Sequence, residues 1–389
     1  MLLRRIELID VRSYDRAALD LAGGVTVLVG PNAQGKTNLL EAVHRVATGG
    51  SHRVAGDAPL VRAGAEVGVI RAAVETDEGR RRTVELEVAS GRRTRTRVDG
   101  QDVRRAGEAV GVLRVVLFAP EDLAIVRGDP SERRRFLDDL LAQRRPAYAA
   151  ARADYERVLK QRNALLKQAR GLTGSAREAA TSTLDTWTDQ LVTHGGALVA
   201  ARIAAVHALA GPVDAAYREL ADRPERIGMT YVSSTGLEVV GDSATGVPDR
   251  GPIDEAFRAA LEEAAGDELQ RGTTLVGPHR DELELTIGAL PARGYSSHGE
   301  AWSLALSLKL STYRVLAEVG DRPVVLLDDV FAELDETRRA RLASACDPFD
   351  QVLVTAAVEA DVPLAGARVD VAIRDGISRL APRVVGGAA

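Results

Sequence analysis

The sequence predicts an α/β fold whose sheet-forming segments lie at the two ends of the chain, with a helical insertion between them. Three observations carry that reading. Val25-Thr26-Val27-Leu28-Val29 and Val324-Val325-Leu326-Leu327 are almost unbroken apolar runs, as in parallel strands covered on both faces. Between Ile6 and Val98 shorter stretches alternate apolar and polar residues, the period of strands with one solvated face. From Ser131 to Leu220 the apolar spacing becomes helical.

Taken in order, Ile6 to Val11 alternates apolar and acidic side chains, and Val25 to Val29 reads as a buried strand. Val67 to Glu75, Thr83 to Val88 and Arg95 to Val98 are alternating strands separated by Gly-containing turns, and Val112 to Phe118 is a further strand ending at Pro120. Tyr148, Tyr155, Leu159 and Leu166 form one helical stripe, and Leu184, Trp187, Leu191 and Leu198 a second. Gly171 to Ser175 breaks them, so the two helices fold back as an antiparallel pair too short for a long coiled coil. Ile227 to Val240 reads as a small hairpin, Gly241 to Pro252 as a loop and Ile253 to Gln270 as a helix. A helix from Glu300 to Glu318 precedes the strand Pro323 to Asp328, and the strands Gln351 to Thr355 and Val369 to Ile373 follow. The expected divisions are an N-terminal lobe over 1–120, a helical arm over 121–274 and a C-terminal lobe over 275–389.

Composition narrows the class. The chain has 389 residues, 45% hydrophobic and 28% charged, ordinary for a globular protein. No run approaches the roughly 18 uninterrupted apolar residues of a membrane span. The opening MLLRRIELIDV places charges inside its apolar run and lacks a cleavage pattern, and the single cysteine, Cys346, excludes an internal disulfide. A cytoplasmic location, with no membrane partner, is the expectation. The net charge of −5 argues against a uniformly basic surface, yet nine arginines face four carboxylates between Arg80 and Arg105. That stretch is either a local phosphate-binding face or an exposed sheet whose outer positions are arginine.

Chemistry enters at Gly30-Pro31-Asn32-Ala33-Gln34-Gly35-Lys36-Thr37, which fits G-x-x-x-x-G-K-[ST] in full. It follows a buried strand and opens an amphipathic helix (Leu39, Leu40, Val43, Val46), the context in which backbone N–H groups converge on phosphate. Lys36 is expected on the β- and γ-phosphates of ATP and Thr37 on Mg²⁺. The strand ending in Asp328-Asp329 supplies the partner carboxylates. Asp328 is the expected metal-side ligand, and Asp329 the residue that orients or deprotonates the attacking water. Tyr295-Ser296-Ser297-His298-Gly299-Glu300 has the composition of a phosphate-binding helix start, and Ala332-Glu333-Leu334-Asp335 comes last. In that order these segments resemble the ATP-binding cassette family: Walker A, signature, Walker B and D-loop.

Within that family the chain resembles the RecF group of bacterial recombination-repair proteins. The likeness lies in Leu3 to Tyr14, in Asn32 to Ala42 with Ser51-His52-Arg53, and in Phe118 to Leu123. It continues in Gly128-Asp129-Pro130-Ser131-Glu132-Arg133-Arg134-Arg135-Phe136-Leu137-Asp138, in Gly277 to Leu283 and in Leu327 to Asp335. The resemblance implies an SMC-like head with a short inserted helical arm and weak Mg²⁺-dependent ATPase activity. It also implies a homodimer that sandwiches ATP. Arg12, Ser13, Gly30 to Thr37 and Asn38 would bind nucleotide in one subunit, met by Ser297, Gly299 and Glu300 of the other, with Asp335 at the seam. It further implies binding to DNA at junctions between single and double strands, with RecR, RecO and RecA as partner proteins. Candidate DNA contacts are Arg92, Arg93, Arg95, Arg97, Arg133 and Arg134, and the last two equally suit ion pairs within the chain.

Several positions depart from the common cassette pattern. Walker B ends in Asp-Asp, not Asp-Glu, which fits slow turnover, and His298 stands where the signature usually has glycine. Ala356-Ala357 leaves no switch histidine, making Thr355 the nearest polar candidate, and Glu121 or Asp122 stands in for the missing loop glutamine. A transporter subunit would carry that histidine and glutamine without so long a helical insert. An SMC clamp would need far more coiled coil, and a small-molecule kinase would need neither signature nor D-loop.

Overall fold

The structure, a computed structural model, describes all residues except 55, 104–105, 222–224, 238–248 and 384–389, and the backbone alone at 106, 177 and 178. Strands β1 (Leu2–Val11), β2 (Tyr14–Asp20) and β3 (Gly24–Val29) lead into helix α1 (Lys36–Thr48). Next come β4 (Val67–Glu75), β5 (Arg81–Ala89), β6 (Arg95–Val98), β7 (Gln101–Asp102) and β8 (Val115–Phe118). Helices α2 (Leu123–Arg127), α3 (Pro130–Arg144), α4 (Pro146–Ala169) and α5 (Gly174–Leu220) follow, then β9 (Ile227–Val232) and α6 (Arg250–Arg271). After β10 (Glu282–Ile287), β11 (Leu290–Pro291) and the single turn α7 (Ala292–Tyr295) comes α8 (His298–Ala317). The chain closes with β12 (Val324–Asp328), α9 (Glu336–Ala345), β13 (Gln351–Ala356), β14 (Ala367–Arg374) and β15 (Ile377–Pro382).

The central sheet has the order β15-β14-β3-β13-β12-β8, parallel except where β15 returns against β14. Strands from both ends of the chain therefore interleave: Val27 lies opposite Val354, and Val116 opposite Val325. Alternate residues serve opposite faces. Val27, Val325, Leu327 and Val354 pack under the helices α3, α5 and α8, whereas Leu28, Leu326 and Leu353 join α1 and the N-terminal sheet in a second core. Two covered faces are why these strands read as continuous apolar runs.

The N-terminal sheet β2-β1-β4-β5-β6-β7 is antiparallel throughout and buries Leu3, Ile6, Leu8, Ile70, Val84 and Leu86 on its inner side. Neither β2 nor β15 is expected from the sequence. Both are short, mixed in polarity and stabilised by pairing with a neighbour.

The arm forms as the stripes require, Tyr155, Val158 and Leu166 sharing a core with Leu191 and Leu198. Helix α5 runs on to pack against α8, so the arm is rooted in the head. By length and mean hydropathy (1.5 over its most apolar window) α5 alone among the described helices could cross a membrane, but 56% of that window is buried inside the molecule.

The expected hairpin at Ile227 to Val240 is corrected in its described part. β9 pairs instead with β10, about fifty residues on, Tyr231 facing Leu283 and Met229 facing Leu285. β10 supplies the apolar face, Leu283, Leu285 and Ile287, against which Ile227 and Tyr231 are buried. Residues 238–240, and 241–248 of the expected loop, lie outside the described residues.

Candidate nucleotide site

The loop between β3 and α1 is shaped by close approaches from distant strands. Gly30 lies so near β14 that a Cβ there would meet the Val371 carbonyl oxygen at 2.1 Å. Gly35 has φ of 105°, and a Cβ would come within 2.4 Å of Ser378 Oγ and 2.8 Å of Ser13 Oγ. Only glycine combines that dihedral with that space. Ser378 Oγ donates to Gln34 O at 2.7 Å, and the Gln34 side chain accepts from Ile373 N–H, so the β14–β15 hairpin holds the loop from outside.

Within the loop, Lys36 Nζ donates to the carbonyls of Gly30 (2.8 Å) and Pro31 (3.0 Å). An ammonium resting on loop carbonyls is poised to turn toward phosphate oxygens. Thr37 Oγ1 donates to Asp328 Oδ1 at 2.9 Å, joining the first turn of α1 to the end of β12. Asp329, at the strand end, has φ of 50° and a buried Oδ1 with no hydrogen-bond partner. It joins Asn32, Ala33, Gly35, Lys36, Thr37, Asn38 and Arg53 in lining a cleft of about 340 Å³. A lysine, an arginine, a hydroxyl and an unpartnered carboxylate around one cleft form a donor set that fits a nucleotide's phosphates with a hard divalent cation.

Asp328 is buried at the end of its strand. Burial is the main cause that lifts its carboxyl to about 6; hydrogen bonds from Thr355 and Thr37 pull the other way, while Asp329 and Glu121 push it up. Thr355 Oγ1 donates to Asp328 Oδ1 at 2.7 Å and accepts from Asp329 N–H at 2.8 Å. At 1% exposure it clamps the Asp328 carboxylate to the Asp329 backbone, so the residue expected at the switch position lies directly against the two acids. Of the two acids proposed for the glutamine's place, Asp122 is tied to Lys309 of α8 at 2.8 Å and to Ala119 N–H. Burial raises its carboxyl, against the pull of Lys309. Glu121 pushes the Asp328 carboxyl up.

Arg12 and Ser13 stand behind the loop. The Arg12 guanidinium makes two bonds to Glu41, at 2.8 and 2.7 Å, and Ser13 Oγ accepts from Asn38 at 2.9 Å. Burial alone would raise the Glu41 carboxyl, but Arg12 and Ser51 hold it below the usual range.

The signature segment lies elsewhere. Ser297 is exposed and caps α8, accepting from Glu300 N–H at 3.3 Å while Glu300 accepts from Ser297 N–H at 2.8 Å. Arg338 of α9 lies against Gly299, 2.6 Å from where a Cβ would sit, and pairs with Asp335 at 2.6 Å. Among the described residues that line the cleft, none is Ser297, Gly299 or Glu300.

The candidate DNA contacts divide. Arg133 is 4% exposed, holds Glu282 through two bonds at 2.7 and 2.8 Å and donates to Gly128 O at 2.9 Å. It is spoken for inside the protein, which corrects its placement as a DNA contact. Arg134 donates to Asp281 O at 2.8 Å, and burial lowers its guanidinium. Arg95 pairs with Asp102, and Arg97 with Glu85 and Asp102. Glu85 in turn pairs with Arg71, and Arg71 with Glu7, so this sheet face is a lattice of alternating charges and not an uncompensated positive one. Arg92 and Arg93 are exposed at the β5–β6 turn; Arg104 and Arg105 are outside the described residues.

Sequence reasoning missed Thr355 as a clamp, Ser378, Arg338 and His52. Their telling contacts cross between elements (Thr355 and His52 to Asp328, Ser378 to Gln34, Arg338 against Gly299), and only Ser51-His52-Arg53 stood out locally.

Comparison with known proteins agrees with this geometry. The family model described as "RecF/RecN/SMC N terminal domain" matches residues 2–379. A protein of Kineococcus radiotolerans named "DNA replication and repair protein RecF" is 52% identical over 92% of this chain and 94% of its own length. One of the same name from Streptomyces avermitilis is 51% identical over 93% and 96%. Among solved structures, that of the recombination mediator protein RecF with ATP, in the RecFOR pathway, superposes with a TM-score of 0.86. It is 28% identical and covers 97% of both chains. An Smc head bound to the C-winged helix domain of ScpA superposes at 0.56 with 16% identity, covering 99% and 98%, and shares the fold alone. The chain belongs to the RecF/RecN/SMC N-terminal domain family and, within it, to the RecF proteins.

Proposed function

We propose that this chain is an ATP-dependent switch of recombinational DNA repair and replication-fork maintenance. Two subunits close on ATP and Mg²⁺, bind DNA where single and double strands meet, and assist RecA loading together with RecO and RecR. The observation that carries the reading is the division of the ATP-handling parts. Lys36, Thr37, Asp328 and Asp329 surround one cleft, while Ser297 and Gly299 stand at a solvent-facing helix start outside it. A helix N-terminus aimed outward suits the γ-phosphate held by a second copy. Bound nucleotide then supplies contacts that exist only in the dimer, and hydrolysis removes them. The two aspartates that end β12 suit a slow ATPase: Asp328 beside Thr37 at the metal, and Asp329 toward water. For DNA, the exposed turn with Arg92 and Arg93 is the proposed contact, made to phosphates without reading sequence.

The test is binding to a gapped duplex with and without ATP, the association state read in parallel. ATP is expected to raise dimer and DNA binding together. Affinity should fall with salt by about one unit of log–log slope per phosphate contact. Charge reversal at Arg92 and Arg93 should weaken binding, and unchanged binding would move the contact elsewhere.

A further inference from the structure

His52 has no place in the chemistry described so far, and its setting is unusual for a packing residue. It lies in the stretch after α1, its side chain is 9% exposed, and neither ring nitrogen has a hydrogen-bond partner. A buried imidazole with both nitrogens unsatisfied is a cost to the fold that calls for a reason. Its Nε2 lies 4.0 Å from Asp328 Oδ2. The other carboxylate oxygen, Oδ1, already accepts from Thr37 and Thr355. Oδ2 is thus the oxygen facing the imidazole, across a gap too long for a direct hydrogen bond. Two hydrogen bonds of about 2.8 Å meeting near a right angle would span it. The ring also packs edge-on against His44, with centroids 5.2 Å apart.

We propose that His52 is a positioning residue for the divalent cation, its Nε2 hydrogen-bonding a metal-bound water that also meets Asp328 Oδ2. The proposal rests on the Mg²⁺-ATP reading given above. Mg²⁺ gives up its waters reluctantly and is commonly held through them, so a protein that uses one or two direct ligands must orient the remaining waters. Groups of that outer shell set metal affinity strongly, by about ten- to a hundredfold when removed. An imidazole suits the post because, when neutral, it offers one donor and one acceptor without adding charge beside a cation. It also gives a reason for the unsatisfied Nε2: its partner arrives with the metal.

The experiment is a Mg²⁺ titration of the full chain at saturating ATP, read as the rise in melting temperature, with metal-free ATP binding measured alongside. His52→Leu keeps apolar bulk and loses both nitrogens; His52→Gln places an amide near the position of Nε2. For His52→Leu the Mg²⁺ midpoint is expected to rise by about ten- to a hundredfold, with metal-free ATP binding unchanged. His52→Gln should restore most of the loss. A wild-type midpoint in His52→Leu, or an equal loss of metal-free ATP binding, would overturn the proposal. If His52→Leu does not fold, His52→Asn against His52→Gln makes the same comparison: the shorter amide should fail and the longer succeed, and equal behaviour overturns the idea. If the wild-type chain itself shows no Mg²⁺ response with ATP, it is the Mg²⁺-ATP reading that fails, a result distinct from a normal wild-type titration that His52→Leu reproduces.

Discussion

Thr355→Val isolates the clamp beneath the two acidic residues. Valine keeps the branched shape and removes one hydroxyl from a site 1% exposed. That hydroxyl makes two bonds, donating to Asp328 at 2.7 Å and accepting from Asp329 N–H at 2.8 Å. A hydrogen bond to a charged group contributes about 1.5–3 kcal/mol, and a buried N–H left without a partner costs about 1–3 kcal/mol. Since the bonds share one atom they are not independent, and a combined loss of about 2–4 kcal/mol is expected in the metal-free chain. The assay is urea unfolding at pH 8, where Asp328, with its carboxyl at about 6, is ionised. At pH 5 the carboxyl is mostly protonated and the penalty should shrink. A residue that only sensed the γ-phosphate would behave in the opposite way, leaving metal-free stability alone and affecting hydrolysis. Stability within about 0.5 kcal/mol of wild type at pH 8 would therefore refute the clamp.

Arg133→Ala should unfold the chain at lower urea, by about 2–3 kcal/mol, because it removes charge-assisted bonds to Glu282, itself 24% exposed, and leaves the Gly128 carbonyl without that donor; a DNA-binding defect with normal stability would contradict this. Gly35→Ala forces a side chain into φ of 105° and against Ser378 and Ser13. Weakened ATP binding and strain of about 1–3 kcal/mol are expected, and an unaltered melting temperature with normal ATP binding would show the loop to be looser than described. His279 is held down to about 4 from an ordinary 6.5, burial being the main cause. Between those values the unfolded chain takes up a proton that the folded chain refuses, so stability falls as pH drops through the window, by at most about 1.4 kcal/mol per pH unit from this group. His279→Gln should flatten that slope, and a profile as steep as wild type would place the acid sensitivity elsewhere.

What could be read from the sequence is what local pattern encodes. β3 and β12 announce themselves because both of their faces are buried, and the phosphate loop because its glycines, lysine and hydroxyl are contiguous. Helices α4 and α5 show through stripes that pack on each other. Pairings made at long range leave no such trace. β9 joins β10 and not a near neighbour, since the apolar face it needs is carried by Leu283, Leu285 and Ile287. Arg133 sits in an exposed-looking run of three arginines, yet Glu282 lies 149 residues away and draws it inside. Arg95 and Arg97 look like a positive face until Glu85 and Asp102 are placed beside them. Thr355 and Ser378 are likewise ordinary residues locally, given their roles by what the fold sets across from them.

The central claim is a composite site shared by two copies of this chain, and the direct measurement is sedimentation of the full chain with ATP and Mg²⁺, alongside Ser297→Arg. Wild type is expected to sediment as a dimer with nucleotide and as a monomer without it. The variant should stay monomeric while binding ATP as tightly as wild type, since Ser297 lies outside the cleft that holds Lys36 and Thr37. A wild-type monomer in saturating ATP, or a Ser297→Arg chain that dimerises normally, would contradict the account.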